Sequence, residues 1–228
     1  MFGLGRPKRP KMVAFDVIGT LFPLEPLRPF VVALGLPPAG LEGWFAAGCR
    51  DAFAMAAVGD YKPFTTVLEA ALDQVLAEQG LDASETERKA LVKQLETLDV
   101  RAGAHEAFSL LVDVGIPVMA LSNGAKSSTK ELLNRAGLSD LVQEIVSVDE
   151  VKLAKPRGEV YLHVANKAGI EPVELALVAA HPWDINGAAA ANLVTAYLNA
   201  DRPYSRAMRA PDLEAQTLPE LARQLAAL

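Results

Sequence analysis

The stretch Met12-Val13-Ala14-Phe15-Asp16-Val17-Ile18-Gly19-Thr20-Leu21-Phe22 decides how the chain is read. Four apolar residues lead to a carboxylate, and Gly19 supplies backbone freedom just beyond it, the pattern of a buried strand that ends in a sharp turn. A strand apolar on both faces suits the centre of a parallel sheet. In open α/β sheets the ligand crevice lies outside the carboxyl ends of the strands, so Asp16 is offered to a substrate rather than to a core. Asp and Gly are also ordinary turn residues, and this stretch alone reads equally well as a capped turn.

The totals narrow the choice. A chain of 228 residues with 51% hydrophobic content can build one sizeable core, or one core and a smaller inserted lobe. A net charge of −6 argues against binding nucleic acid or an acidic membrane surface and favours a small-molecule ligand. Cys49 is the one cysteine, which excludes an intrachain disulfide and a cysteine cluster for zinc, and suits a reducing, cytoplasmic setting. No apolar run approaches the roughly 20 residues of a membrane span. The basic start, Arg6-Pro7-Lys8-Arg9-Pro10-Lys11, lacks the apolar segment of a secretion signal and is expected to be a frayed tail.

After Phe22 the pattern turns helical through Pro23 and Pro26, breaks at Gly35-Leu36-Pro37-Pro38, and resumes over Leu41 to Val58 and Thr65 to Gln79. With no strand between them, residues 23–98 are expected to form an inserted helical lid, leaving residues 1–22 and 99–228 to build the sheet. From Val100 strand and helix alternate. Helices are expected over Gly103 to Gly115, Lys126 to Gly137, Glu159 to Gly169 and Gly187 to Asn192. Strands are expected at Ile116 to Leu121, Ile145 to Val148, Leu175 to Ala180 and Val194 to Leu198. Such alternation argues for parallel strands joined by helical crossovers. The tail from Asp212 to Leu228 has helical spacing.

Four polar sites then fall at or near predicted strand ends: Asp16 with Thr20, Ser122 with Asn123, Lys155, and His181 with Asp184. One such cluster is a turn, but several converge on one crevice when the strands are parallel neighbours. Their types divide into a nucleophilic carboxylate, hydroxyl and amide donors, a cation, and a second carboxylate able to orient water.

These residues resemble the haloacid dehalogenase superfamily, and most closely its L-2-haloacid dehalogenase branch. Asp16 followed by Gly19-Thr20-Leu21 resembles the first family motif, Leu121-Ser122-Asn123-Gly124 the second, and Lys155-Pro156 with Tyr161 the third. Ala179-Ala180-His181-Pro182-Trp183-Asp184 resembles the fourth, and Gly59-Asp60-Tyr61-Lys62-Pro63-Phe64 the aromatic lid segment of the branch. The resemblance runs from about residue 12 to 200. It implies an α/β fold, a Rossmann-like core with a parallel sheet and an inserted helical cap. It also implies a hydrolase with no cofactor, a small organic acid and water as substrates, and, since family members are often dimers, a homodimer.

In the implied mechanism Asp16 attacks carbon, expels a leaving group and forms an aspartyl ester that water hydrolyses. Lys155 keeps Asp16 ionised and offsets charge on the departing group. Thr20 and Ser122 donate hydrogen bonds to carboxylate oxygens, while Asp184 holds either Lys155 or the attacking water. Ile18, Phe45, Phe64, Tyr161 and Trp183 are the expected substrate contacts.

Absences choose within the family. Phosphatase members carry a second Asp two residues after the nucleophile and an acidic magnesium ligand in the fourth motif, where this chain has Ile18 and Ala179-Ala180. A metal-independent hydrolase is therefore expected. Within the dehalogenase branch, Tyr is common at the position of Ile18, and the arginine that helps hold the departing halide falls on Phe45. Losing that fixed cation leaves halide departure to Asn123, Trp183 and Phe64, with Arg50 five residues along the helix and turned off that face. Branch members have Asn where this chain has His181, which either accepts a proton from water or caps the strand-to-helix turn. Three readings follow: a 2-haloacid dehalogenase, a hydrolase of another activated carbon such as a strained-ring amino acid, and a non-catalytic binding member.

Overall fold

The computed structural model describes residues 7–228. The central strand, β1 (Met12–Asp16), is followed by a run of helices: α1 (Arg28–Ala33), α2 (Gly40–Ala57), α3 (Phe64–Glu78) and α4 (Glu85–Lys93). Alternation then begins with α5 (Ala104–Asp113), β2 (Val118–Ser122), α6 (Lys126–Arg135), β3 (Val142–Ser147) and α7 (Gly158–Ala168). It closes with β4 (Leu175–Ala179), α8 (Pro182–Ala190), β5 (Val194–Leu198), β6 (Leu213–Ala215) and α9 (Leu218–Ala227). Among the described residues one parallel sheet runs in the order β3-β2-β1-β4-β5-β6.

This order positions the site. Strands are added outward from β1 on one side and outward from β4 on the other, so the carboxyl edge beside β1 and β4 is the point where the winding reverses and ligands gather. Every residue of β1, β2, β4 and β5 is buried, as the near-continuous apolar runs require. The period of two sorts β1 between two cores. Val13 and Phe15 join the layer that holds Phe108 and Leu221, with the Phe15 and Phe108 rings 4.6 Å apart. Met12 and Ala14 join Tyr161, Val164 and Ile185. Asp16 continues that second series into the layer of α7 and α8.

The helices that follow β1 pack into the same apolar core as Val13 and Phe15. Leu68, Leu72 and Leu76 recur at helical spacing and are buried, each worth roughly 1.5–3 kcal/mol. The buried Trp44 indole satisfies its N–H on the Leu68 carbonyl at 2.7 Å. These helices are tied to the sheet layer where Arg157 donates to the Ala56 carbonyl at 2.9 Å, Ser128 donates to Glu96 at 2.9 Å, and the Tyr61 hydroxyl donates to Asp149.

Several expectations need correction. The helix expected from Gly187 begins at Pro182, because proline suits a first helical turn whose N–H groups have no partner. The tail is not wholly helical: Leu213–Ala215 adds an edge strand, pairing Tyr197 with Glu214, before α9. The strand expected at 145–148 runs Val142–Ser147, and Val148 opens a short 3-10 turn. Helix α4 was not anticipated, although Ser84 and Glu87 form a reciprocal capping box at its start. In the basic start, Arg6 lies outside the described residues. Arg9 donates to the Val114 carbonyl at 2.8 Å and Lys11 pairs with Glu174 at 2.7 Å, so these two are tied to the body. Among the described residues no helix is long and apolar enough to cross a membrane.

Candidate active site

Four chain segments bring the site together. Asp16 ends β1, Thr20 lies in the turn after it, Lys155 lies between β3 and α7, and His181 and Asp184 open α8. The Lys155 ammonium donates to Asp16 Oδ1 at 2.8 Å, Asp184 Oδ2 at 3.0 Å and the Leu121 carbonyl at 2.8 Å. Those three acceptors use all three of its protons. Lys155 and Asp184 have no exposure and Asp16 retains 4%, a burial that would be prohibitive for unpaired charges.

The second Asp16 oxygen is equally engaged. Thr20 Oγ1 donates to Oδ2 at 2.6 Å while accepting the Ala180 N–H at 2.9 Å, and His181 Nδ1 lies 3.0 Å from the same Oδ2. Because Nδ1 faces a carboxylate, its proton belongs there, which leaves the lone pair on Nε2. Asp184 is held from behind by the Tyr161 hydroxyl, which donates to Oδ1 at 2.6 Å. That approach requires Gly187, since a Cβ there would lie 2.7 Å from the Tyr161 oxygen.

The charges of this cluster divide by environment. Burial alone raises the Asp16 carboxyl, but Lys155 and the hydrogen bond from His181 outweigh it and hold the group well below its ordinary value of 3.8. Asp184 moves the other way: burial raises it, Lys155 draws it back, and the charge of Asp16 keeps it above its ordinary value. Burial would lower Lys155, yet the two carboxylates hold it above its ordinary value. Asp16 is therefore the persistent anion, the state a nucleophile needs. Cys49 is no competitor, because burial and then Asp16 push its thiol up to about 12.

An aromatic stack separates this cluster from the solvent side. The His181 ring lies between Phe45, 5.7 Å away at 27°, and Trp183, 4.9 Å away at 21°. Phe64 meets Phe45 edge-on at 6.2 Å, and Phe53 packs on Trp183 at 5.0 Å. Beyond the stack opens a cavity of about 870 Å³, whose wall includes Gly19, Phe45, Phe53, His181, Trp183 and Arg202. Asp16 is not on that wall; His181, bonded to it, is.

Several assigned contacts differ from expectation. Among the described residues Ser122 makes no hydrogen bond to a carboxylate; its Oγ accepts the Gly124 N–H at 2.9 Å, which shapes the turn after β2 and leaves its own proton to donate. Asn123 Oδ1 accepts the Lys155 backbone N–H at 3.0 Å. Asn123 and Phe64 border a separate slot of about 10 Å³, room for a water at most, rather than the large cavity. Tyr161 is fully buried behind Asp184 and does not line the cavity, and neither does Ile18, which packs against the larger core. Asp184 is locked on Lys155 and Tyr161, so it takes the lysine-holding role of the two left open. His181 begins α8 but its side chain makes no capping bond. Arg50 does reach the cavity wall, held by Asp51 at 2.8 Å and Gln74 at 2.9 Å.

Sequence reading missed Arg101. Its Nε donates to the Thr20 carbonyl at 2.7 Å and its Nη2 to the Gly19 carbonyl at 3.2 Å, which fixes the nucleophile's turn. A lone arginine between a helical lobe and α5 carries no local signature of such a role. Gly19 itself has φ +85°, and a Cβ there would lie 2.6 Å from His181 Cε1 and Nε2. Gly19→Ala is expected to push the imidazole off Asp16, lowering kcat/KM by about 100-fold, the cost of a misplacement near 1 Å. Steady-state kinetics beside a denaturant midpoint would check this, since the stability loss should be only ~1–2 kcal/mol.

Magnesium, which phosphatase members of the resembled family use, does not fit these residues. The Lys155 ammonium bridges Asp16 and Asp184, and both oxygens of each carboxylate already accept hydrogen bonds, so a dication shared by the two would have to displace donors from them. Among the described residues no three His, Cys, Asp or Glu side chains are gathered to hold a metal.

A family model described as haloacid dehalogenase-like hydrolase matches residues 10–192. An (S)-2-haloacid dehalogenase 1 of Pseudomonas sp. (strain CBS-3) is 28% identical over 62% of this chain and 63% of its own length. The (S)-2-haloacid dehalogenase of Xanthobacter autotrophicus is 27% identical over 78% of this chain and 70% of its own. A solved L-2-haloacid dehalogenase structure from Xanthobacter autotrophicus superimposes with a TM-score of 0.85 at 23% identity, covering 94% of this chain and 98% of that one, which carries the fold. The chain belongs to the haloacid dehalogenase-like hydrolases.

Proposed function

We propose that the protein hydrolyses a small organic acid at an activated carbon by way of an ester on Asp16, with 2-haloacids as the substrate class. The observation that carries this reading is the buried Asp16–Lys155 pair at 2.8 Å, at the carboxyl end of the central strand. Both lone pairs of Asp16 Oδ2 face donors, Thr20 and His181, whereas Oδ1 has only Lys155. Oδ1 thus keeps one lone pair for attack on carbon. Once the ester forms, Oδ2 becomes its carbonyl oxygen, and the Thr20 and His181 donors stabilise the oxyanion when water adds. Collapse of that adduct returns the Asp16 carboxylate and releases the hydroxy acid, one proton of the water staying on its hydroxyl and the other passing to solvent. Residues 23–98 act as the cap that excludes bulk water during ester formation. A cytoplasmic homodimer completes the reading.

A second leaving group is favoured by one observation. Phe45 stacks on His181 where the family's halide-holding arginine would lie, so no fixed cation stands beside His181 on that side. A leaving group that must take a proton, such as the amine of a strained-ring amino acid, needs a proton donor there and not a fixed cation. Free halide measured across a panel of 2-chloro and 2-fluoro acids separates the two. Release at rates above background is the expected result, and none across the panel would exclude the haloacid reading.

A further inference from the structure

Two of the ties between the helices that follow β1 and the sheet layer fall on one loop, residues 148–157, and that loop carries Lys155. Asp149, ahead of the lysine, accepts the Tyr61 hydroxyl, and Arg157, behind it, donates to the Ala56 carbonyl at 2.9 Å. A third contact lies between them, where the Lys152 ammonium sits 5.0 Å from the centre of the Tyr61 ring. Lys152 holds a left-handed backbone, φ +55°, with its N–H on the Val148 carbonyl at 2.9 Å. That conformation is uncommon for lysine, and such residues persist where their surroundings over-determine them. Among the described residues of 23–98, Tyr61 alone joins the core of Tyr161, Val164 and Ile185. The seam itself is closed. Between Met55, Tyr61 and Phe64 on one side and Asn123, Val148 and Ala154 on the other, about 10 Å³ remains, and Asn123 accepts the Lys155 backbone N–H at 3.0 Å. The helix that offers Ala56 to Arg157 is also the one whose Phe45 stacks on His181, so the same helix touches both partners of Asp16 or their supports.

We propose that Tyr61 is a positioning residue for Lys155: the loop 148–157 clasps the turn after α2, so that seating the helices over the site and seating the ammonium beside Asp16 are one event. The assignment rests on the reading of residues 23–98 as a cap over Asp16 and Lys155. Tyr61 bonds to neither of those residues and is not on the wall of the large cavity, so it acts through the loop. Lifting the turn removes the partners of Asp149, Lys152 and Arg157 together, on both sides of Lys155 in the chain. The loop is then left to the Asn123 bond and to the acceptors of the ammonium itself. Attack on carbon, which needs that cation in place as the leaving group departs, is thereby confined to the closed arrangement, in which water is excluded.

Backbone hydrogen exchange read by mass spectrometry tests the coupling without relying on turnover. It is run on the full chain and on Tyr61→Phe, Asp149→Ala, the two combined, and Ser128→Ala, which breaks the tie to Glu96 away from the loop. Tyr61→Phe should speed exchange in the peptides covering residues 57–63 and 151–157 alike, by about 10- to 100-fold, the weight of one hydrogen bond to a charged group. Asp149→Ala should do the same, the combined variant should go no further than either, and Ser128→Ala should leave residues 151–157 at the parent rate. Halide release from a 2-chloro acid is followed in the same proteins, and Tyr61→Phe should lower kcat by about tenfold with KM unchanged. Faster exchange confined to residues 57–63, equal acceleration of 151–157 in Ser128→Ala, or coupled exchange with kcat unaltered would each overturn the proposal. Coupled exchange in a parent that releases no halide would overturn only the haloacid reading. Halide release by the parent, with residues 151–157 indifferent to Tyr61→Phe, would overturn only the clasp.

Discussion

Lys155→Met should lower turnover by about 1,000-fold or more and destabilise the fold by ~3–5 kcal/mol, the cost of stripping the partner from buried charge. The ammonium is the one cation bonded to both Asp16 and Asp184, and methionine returns the volume without the charge. Two carboxylates would then share a dry pocket, and each would be pushed above its ordinary value by burial and by the other. The sign of the pH dependence follows. In the parent, Asp16 is depressed, so its contribution to stability is complete above its ordinary value of 3.8 and is lost as pH falls below it. In Lys155→Met both carboxyls are raised, so their contribution is present in acid and lost as pH climbs through the raised values. The stability deficit should therefore be largest near neutral pH and shrink toward pH 4, which urea titrations of both proteins at several pH values would measure. A deficit independent of pH would mean that Lys155 matters through packing alone.

His181→Ala should separate the two halves of the reaction. Asp16 keeps Lys155 and Thr20, so attack on carbon persists, but one of the two donors to the ester's carbonyl oxygen is gone. Steady turnover is expected to fall by about 100- to 1,000-fold, the range for losing one oxyanion donor. A burst of one leaving group per chain should precede the slow phase, and intact-protein mass should rise by the carboxyalkyl fragment of the substrate, mapped to the peptide with Asp16. A slow phase without a burst, and with no mass gain, would place His181 in the first step instead.

Much of this arrangement was legible because parallel-strand topology converts order along the chain into proximity at one edge. Lys155 stands 139 residues from Asp16, yet both follow strands of one sheet, so a carboxylate and a lysine after apolar runs were enough to bring them together. What escaped lies where a long-range contact has no local pattern. Arg101 reaches carbonyls 81 and 82 positions back, and nothing in its own neighbourhood marks that reach. Phe45 was read as the loss of an arginine; only the folded chain places its ring over His181, giving the position a stacking role. Tyr161, an expected substrate contact, is instead the support of Asp184, because it is fully buried behind it. The edge strand Leu213–Ala215 is too short for alternation to register. By contrast, α4 could have been found: Ser84 and Glu87 stand at capping-box spacing, and the charged sequence that follows hides a narrow stripe formed by Leu91 and Val92.

The central claim is that an aspartate oxygen, not a water oxygen, first joins the substrate carbon. A single turnover with enzyme in excess, run in heavy-oxygen water on an acid that releases halide, tests it directly. Water adding to the ester carbonyl should leave the label in the peptide carrying Asp16 and ordinary oxygen in the hydroxy-acid product. Label found in the product with Asp16 unlabelled would contradict the account.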